Sequence, residues 1–320
     1  MISLKDVQEA RQRIQNTVYT TPLLKSEQLS TICGNKLFLK SEHLQKTGSF
    51  KIRGASNMAI HAIENGAKHV TTASSGNHGQ AVAYVANKYG VPATIVVPEN
   101  VSMCKVNAIV GYNGKVEMCG TTSGERLPRA QQIAEQENGI YIPPYDDPFI
   151  MAGQGTIGLE ILEQLDHIDA IIVPIGGGGL ISGILTTIKE TNPKIKVIGV
   201  EPAIANDTYL SMQQRKITAI PATNTIADGL RTNQPGDLTF PVLMNYLDDL
   251  VLVTEDEIRY AFSFVLERTK QLIEPSSATT IAAAMFNKLN LHGKNIVSVI
   301  SGGNVDIDKV QEFIVDTARK

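Results

Sequence analysis

The segment Ala170-Ile-Ile-Val-Pro-Ile-Gly-Gly-Gly-Gly179 limits the fold more than any other stretch of the chain. From Ala170 to Ile188 no residue is charged, a length that would suit a membrane span. Gly179 and Gly183 even repeat the spacing that packs membrane helices together. Pro174 and the consecutive glycines Gly176, Gly177, Gly178 and Gly179 would break such a helix at its centre. A buried strand, a glycine turn and a helix fit the same letters, with no membrane needed.

That unit recurs along the chain. Ser3-Leu-Lys-Asp6 reads as an N-cap with an acidic partner three residues on, opening a helix to about Gln15. Lys36–Lys40, Val70–Ala73, Ala93–Val97, Val116–Met118, Ala170–Ile175, Lys196–Val200 and Ile296–Ile300 read as strands. Helical patterns cover Gln80–Lys88, a segment from about Ser102, Ser123–Gln136, Gly155–Gln164, Glu255–Gln271 and Ser276–Leu289. Such alternation demands parallel strands joined by crossover helices. The expectation is an α/β protein of two open lobes with largely parallel sheets and a ligand cleft between them. Residues 1–65 with 147–320 form the large, cofactor-binding lobe, and 66–146 the small, substrate-side lobe.

Charge narrows the function. The 29 Lys+Arg nearly balance the 32 Asp+Glu and form no basic run, which argues against nucleic acid or an anionic membrane as partner. Cys33, Cys104 and Cys119 are odd in number and follow no signal peptide, so reduced thiols and a cytoplasmic location are expected.

Chemistry concentrates in four loops. In Lys46-Thr-Gly-Ser-Phe-Lys51-Ile-Arg-Gly54, Lys51 lies between Phe50 and Ile52. Enclosure disfavours the ammonium, lowers its pKa and makes the amine a nucleophile and a base; a surface lysine with greasy neighbours is the plain alternative. The tetraglycine leads into a helix start, where converging N–H groups cradle phosphate. A dinucleotide site is the rival, supported by Glu201 at the end of the next strand. Its glycine pattern fails at Ile181, and no P-loop pattern is present. Ser74-Ser75-Gly76-Asn77-His78-Gly79 offers hydroxyls, an amide and another helix start, suited to a substrate carboxylate. His78 is given no catalytic role there. Ser301-Gly-Gly-Asn304 ends a buried strand, where α/β clefts open. Phosphate cradle, carboxylate site and enclosed lysine together suit pyridoxal phosphate held as a Schiff base, acting on a small amino acid.

These motifs, with Ala152-Gly-Gln-Gly-Thr156 and Thr225-Ile-Ala-Asp-Gly229, are similar to the fold-type II pyridoxal-phosphate enzymes, specifically the serine racemases and serine/threonine dehydratases. The resemblance implies that Lys51 carries the cofactor and is the base at the substrate Cα. Phe50 lies beside the ring, Asn77 reaches its 3′-oxygen, Gly176–Gly179 hold the phosphate, and Ser301 takes the pyridine nitrogen. A hydroxyl there cannot keep that nitrogen protonated, so the ring is a weaker electron sink and loss of a β-hydroxyl competes. Ser75, where threonine dehydratases usually carry alanine, implies a proton carrier on the face opposite Lys51. Arg126 matches a racemase position able to pair with a second carboxylate, as in 3-hydroxyaspartate.

By the same resemblance, Glu201, Asp207 and the Ala205 carbonyl correspond to a divalent-cation site of the racemases, suiting Mg²⁺, Mn²⁺ or Ca²⁺. Tyr145 departs from the asparagine of animal racemases towards the aromatic residue of dehydratases. A homodimer is expected by analogy alone. The chain ends soon after the Ser301 strand and one helix, so feedback inhibition by isoleucine is not expected. The reading is elimination of water from L-serine, L-threonine or 3-hydroxyaspartate, with serine racemisation beside it. An enzyme that is mainly a racemase is the alternative; a nicotinamide-dependent dehydrogenase or a non-catalytic amino-acid sensor is more distant.

Overall fold

Ser3 opens the first helix in the manner its sequence requires. Its hydroxyl accepts from the Asp6 N–H, and the Asp6 carboxylate accepts from the Ser3 N–H at 2.7 Å. The computed structural model describes residues 1–317. Its strands are β1 (Leu23–Lys25), β2 (Lys36–Ser41), β3 (Val70–Thr72), β4 (Ala93–Val97), β5 (Lys115–Met118), β6 (Ile140–Tyr141), β7 (Ala170–Pro174), β8 (Lys196–Pro202), β9 (Asp249–Val253) and β10 (Asn295–Ile300). The first six α-helices are α1 (Leu4–Ile14), α2 (Glu27–Cys33), α3 (Lys51–Glu64), α4 (Asn77–Lys88), α5 (Met103–Gly111) and α6 (Ser123–Gln136). Then follow α7 (Pro148–Gln164), α8 (Gly179–Thr191), α9 (Asp207–Gln214), α10 (Thr239–Tyr246), α11 (Glu255–Phe264), α12 (Pro275–Met285) and α13 (Val310–Phe313).

The strands form a six-stranded sheet in the order β1-β2-β10-β7-β8-β9 and a four-stranded sheet in the order β5-β4-β3-β6. Every pairing is parallel except that of β1 with β2. The fold is therefore α/β with largely parallel sheets, as the alternation required. Strands β7 and β4 are buried along their whole length, the mark of parallel strands covered on both faces. Among the described residues, no helix is long and apolar enough to cross a membrane.

Two helices start earlier than the sequence predicts. Helix α4 begins at Asn77, inside the polar turn rather than after it. Helix α7 begins at Pro148, capped by the Asp147 carboxylate, which accepts from the N–H groups of Phe149 (2.7 Å) and Ile150 (3.2 Å). Gly153 and Gly155 lie inside α7 and not before it, because neighbouring backbone lies against them. A Cβ on Gly153 would stand 2.6 Å from Gly54 Cα, and one on Gly155 would stand 2.8 Å from the Gly183 carbonyl oxygen. Helix α7 thus touches α3 on one side and α8 on the other, backbone to backbone. The loops after β3, β7 and β10 open towards one cleft, at the carboxyl ends of the strands.

Candidate active site

The cleft holds a cavity of about 460 Å³ lined by all four motif loops. Two of them are joined directly. The Phe50 N–H donates to the Ser301 carbonyl (3.0 Å), the Gly303 N–H donates to the Gly48 carbonyl (2.9 Å), and Ser49 bridges Gly302. Asn304 Nδ2 adds a bond to the Thr47 carbonyl at 2.8 Å. The lysine loop and the turn after β10 are therefore one piece of structure.

Lys51 is the first residue of α3, where its own N–H needs no intrahelical acceptor. Its Nζ donates to the Pro144 carbonyl at 2.7 Å and lies 5.2 Å from the centre of the Phe50 ring. Burial lowers its pKa to about 8, with Glu274 pulling weakly the other way. The other flanking residue, Ile52, is fully buried in the core shared by α3, α4 and the four-stranded sheet.

The tetraglycine forms the turn from β7 into α8. Gly178 has φ +91, open to glycine and strained for other residues. Its carbonyl oxygens are tied back: Thr239 Oγ1 donates to Gly177 O (2.7 Å) and the Ser182 N–H to Gly178 O (2.9 Å). The first N–H groups of α8 have no partner within the helix and carry its positive end into the cavity. A Cβ on Gly177 would stand 2.4 Å from the Tyr145 ring, and one on Gly178 would stand 2.7 Å from Thr239 Oγ1. Only glycine leaves this cradle open, which fits a phosphate.

Asn77 opens α4, and its amide is fixed at both ends. Nδ2 donates to Glu274 Oε1 and Oε2 (3.1 and 2.9 Å), while Oδ1 accepts from Asn304 Nδ2 (2.8 Å). Glu274, 4% exposed, was not foreseen. Burial raises its pKa to about 7 despite the Asn77 bond, so near neutral pH the cleft contains a proton-sharing acid. Its one local signal is an acid directly before Pro275 at a helix start.

Ser301, 3% exposed, lies 3.0 Å from the Ser277 hydroxyl, which donates to Gly302 O (2.7 Å) and accepts from Gly302 N (2.8 Å). Ser74, Ser75 and Gly76 line the cavity ahead of α4, with Arg126 on the wall formed by α6. His78 Nε2 lies 3.0 Å from the Ile142 carbonyl. Burial, then the nearby Lys51 charge, hold its pKa at about 3, so the ring is neutral.

Glu201 and Asp207 are both fully buried, on β8 and at the start of α9, and stand outside the cavity lining. The Glu201 carboxylate accepts from the N–H groups of Thr208 (3.0 Å) and Tyr209 (2.8 Å). Burial, then Asp207, raise Glu201 to about 8, and burial raises Asp207 to about 7. Ala205, fully buried, lies between them in sequence. Among the described residues, no cluster of three or more His, Cys, Asp or Glu side chains could hold a metal. Any ion here would rest on two carboxylates and main-chain oxygen.

Residues 14–302 match the family profile described as pyridoxal-phosphate dependent enzyme. The chain is 42% identical to an L-threonine ammonia-lyase of Thermotoga maritima over 98% of this chain and 78% of that one. It is 45% identical to a serine racemase of Dictyostelium discoideum over 98% of both chains. The crystal structure of a Dictyostelium discoideum serine racemase superposes with a TM-score of 0.88, covering 96% of this chain and 99% of that one at 45% identity. A solved pyridoxal 5′-phosphate-dependent aspartate racemase, 35% identical, gives a TM-score of 0.92 over 97% of this chain and 98% of that one.

Proposed function

Since the chain belongs to the pyridoxal-phosphate dependent enzymes, we propose that it removes water from L-serine or L-threonine, releasing a 2-oxo acid and ammonia, and that it also racemises serine. The observation that carries this reading is the Lys51 amine, tuned to about 8, in one cavity with the glycine cradle and the Ser75 hydroxyl. Relatives named for both activities support it.

Gly176–Gly179 would hold the phosphate, Phe50 would lie beside the ring, Asn77 would meet its 3′-oxygen, and Ser301 would meet its nitrogen. When bound, pyridoxal phosphate supplies an aldehyde for the amine and a ring that draws electron density from Cα. Lys51 Nζ takes the Cα proton from one face. Ser74, Ser75, Gly76, Asn77 and His78 bound the substrate carboxylate, the histidine as a neutral wall. Ser75 gives or takes a proton on the opposite face. Arg126, beside a relative named as an aspartate racemase, extends the substrate range to 3-hydroxyaspartate. Incubation with each of the three amino acids, scored together for 2-oxo acid and for D-enantiomer, tests the assignment; absence of both products with all three would refute it.

Ser75→Ala is expected to lower racemisation by about 100-fold or more and to leave dehydration within about threefold of wild type. Chiral chromatography alongside an oxo-acid assay reads both. Equal loss of the two activities would remove Ser75 from its role.

Glu201, Asp207 and the Ala205 carbonyl are proposed to hold Mg²⁺, with Mn²⁺ or Ca²⁺ as substitutes. Two buried acids without a cationic side chain among the groups that shift them support this. A chelator is expected to lower the melting midpoint by roughly 5 °C, with recovery on adding Mg²⁺. An unchanged midpoint would count against the site. The two-lobe division at 66 and 146, a homodimer and a cytoplasmic location complete the proposal; sedimentation tests the second.

A further inference from the structure

Away from the cavity, the start of α3 is gripped by a set of charges for which the proposed reaction has no use. Arg53, two residues beyond Lys51, is fully buried, as are Lys40 and Glu42, while Glu160 is 6% exposed. The guanidinium engages two carboxylates, each through two bonds. Nε and Nη2 donate to Glu42 (2.7 and 2.8 Å), and Nη1 and Nη2 donate to Glu160 (2.7 and 2.9 Å). Thr156 Oγ1 (3.1 Å) and the Tyr19 carbonyl (3.3 Å) complete its surroundings. Lys40 Nζ donates to Glu160 Oε2 (2.6 Å), the Thr21 carbonyl (2.7 Å) and Gln164 Oε1 (3.0 Å). The Thr21 hydroxyl donates to Glu42 Oε1 at 2.5 Å. Two cations thus meet two anions in a sealed interior.

As a source of stability this arrangement is weak. Stripping water from four charges offsets much of their attraction, and apolar replacements of similar volume are often neutral or better. What forked, directional bonds add is orientation. One fork ties α3 to the turn after β2, the other ties it to α7. Elsewhere the two helices meet backbone to backbone at Gly54 and Gly153, and through the Gly54 N–H on Gln154 Oε1 (3.2 Å), Asn57 Nδ2 on the Phe149 carbonyl (2.7 Å) and the stacked His61 and Phe149 rings. The forks are the charged, two-bond ties, and they hold the turn nearest Lys51. The Lys51 acceptor, the Pro144 carbonyl, belongs to the segment leading into α7. The setting of α3 against α7 is therefore also the aim of Lys51 Nζ.

We propose that Arg53 is a positioning residue for Lys51: its double fork on Glu42 and Glu160 fixes the first turn of α3, and so the direction in which the amine enters the cavity. This rests on Lys51 being the cofactor-bearing lysine.

Two holoenzyme variants test it. Arg53→Lys keeps the charge and loses the fork. A four-site variant, Lys40→Met with Glu42→Gln, Arg53→Met and Glu160→Gln, empties the set of charge at similar volume. Melting midpoint, kcat, KM and the pH midpoint of the borohydride-sensitive visible band are read for each. The four-site variant is expected to melt within about 5 °C of wild type. Its kcat falls about 100-fold while KM stays within about threefold. Its band midpoint moves by about one pH unit, and Arg53→Lys moves every reading in the same direction. A folded variant with wild-type kcat and band midpoint overturns the proposal; so does a kcat loss that merely follows the unfolded fraction. Should the four-site chain fail to fold, Arg53→Lys decides by the same readings, taken below its own melting midpoint. Failure of the underlying reading looks different: wild type itself then shows no such band and no borohydride label on Lys51.

Discussion

Lys51→Ala is expected to reduce turnover at least about 10⁴-fold, because one substitution removes both the nucleophile and the base. The fold should survive. Lys51 starts its helix, its side chain faces the cavity, and among the described residues its Nζ donates a single hydrogen bond, to the Pro144 carbonyl. The decisive measurement is peptide mapping after borohydride reduction with pyridoxal phosphate, which labels wild type at Lys51 and leaves the variant unlabelled. A variant that retains turnover would end the assignment.

The sign of the pH dependence follows from the lowered pKa. The amine titrates at about 8 in the fold against 10.5 when unperturbed, so below about 8 it is mostly the unreactive ammonium. Capture of the aldehyde by cofactor-free protein should therefore rise about tenfold per pH unit up to about 8 and then level off. Stability moves the same way. With the folded pKa below the unfolded one, burial of the charge destabilises fully below about 8 and ceases to do so as pH climbs towards 10.5. Cofactor-free wild type should gain stability across that window, and Lys51→Met should not.

The second large effect is expected at Gly178. Alanine there adopts φ +91 at a cost of about 1–3 kcal/mol. Its Cβ also stands 2.7 Å from Thr239 Oγ1, the group that ties back the Gly177 carbonyl. Shifting that hydroxyl disturbs the carbonyl and turns the neighbouring N–H groups off their target. Gly178→Ala should bind pyridoxal phosphate about 100-fold more weakly, the scale of a lost charge-assisted bond set. Pyridoxal, which lacks the phosphate, should bind both proteins within about threefold of each other. Equilibrium dialysis with the two aldehydes separates a damaged cradle from a damaged fold, since a damaged fold would weaken both.

The loops at the strand ends were legible because their chemistry is local. Glycine runs, paired hydroxyls and a lysine between apolar neighbours keep their meaning wherever the fold places them. Of the four edge strands, β5 was read and β1, β6 and β9 were not; β1 has 3 residues and β6 has 2, too few to show an alternation. Gly155 suggested a helix start because a lone glycine in sequence cannot reveal that another backbone lies against it. Glu274 escaped because its meaning depends on Asn77, 197 positions away. Glu160 and Arg53 escaped for the same reason, each looking in sequence like an ordinary helix charge.

The six-stranded sheet sets an order of assembly. Strand β10 occupies the slot between β2 and β7, yet it is the last strand to be made. Until it leaves the ribosome, both flanking strands show unpaired edges, open to neighbouring chains. Ser301 follows directly on β10, so the hydroxyl proposed to meet the pyridine nitrogen reaches the cleft only once β10 has taken its slot between β2 and β7.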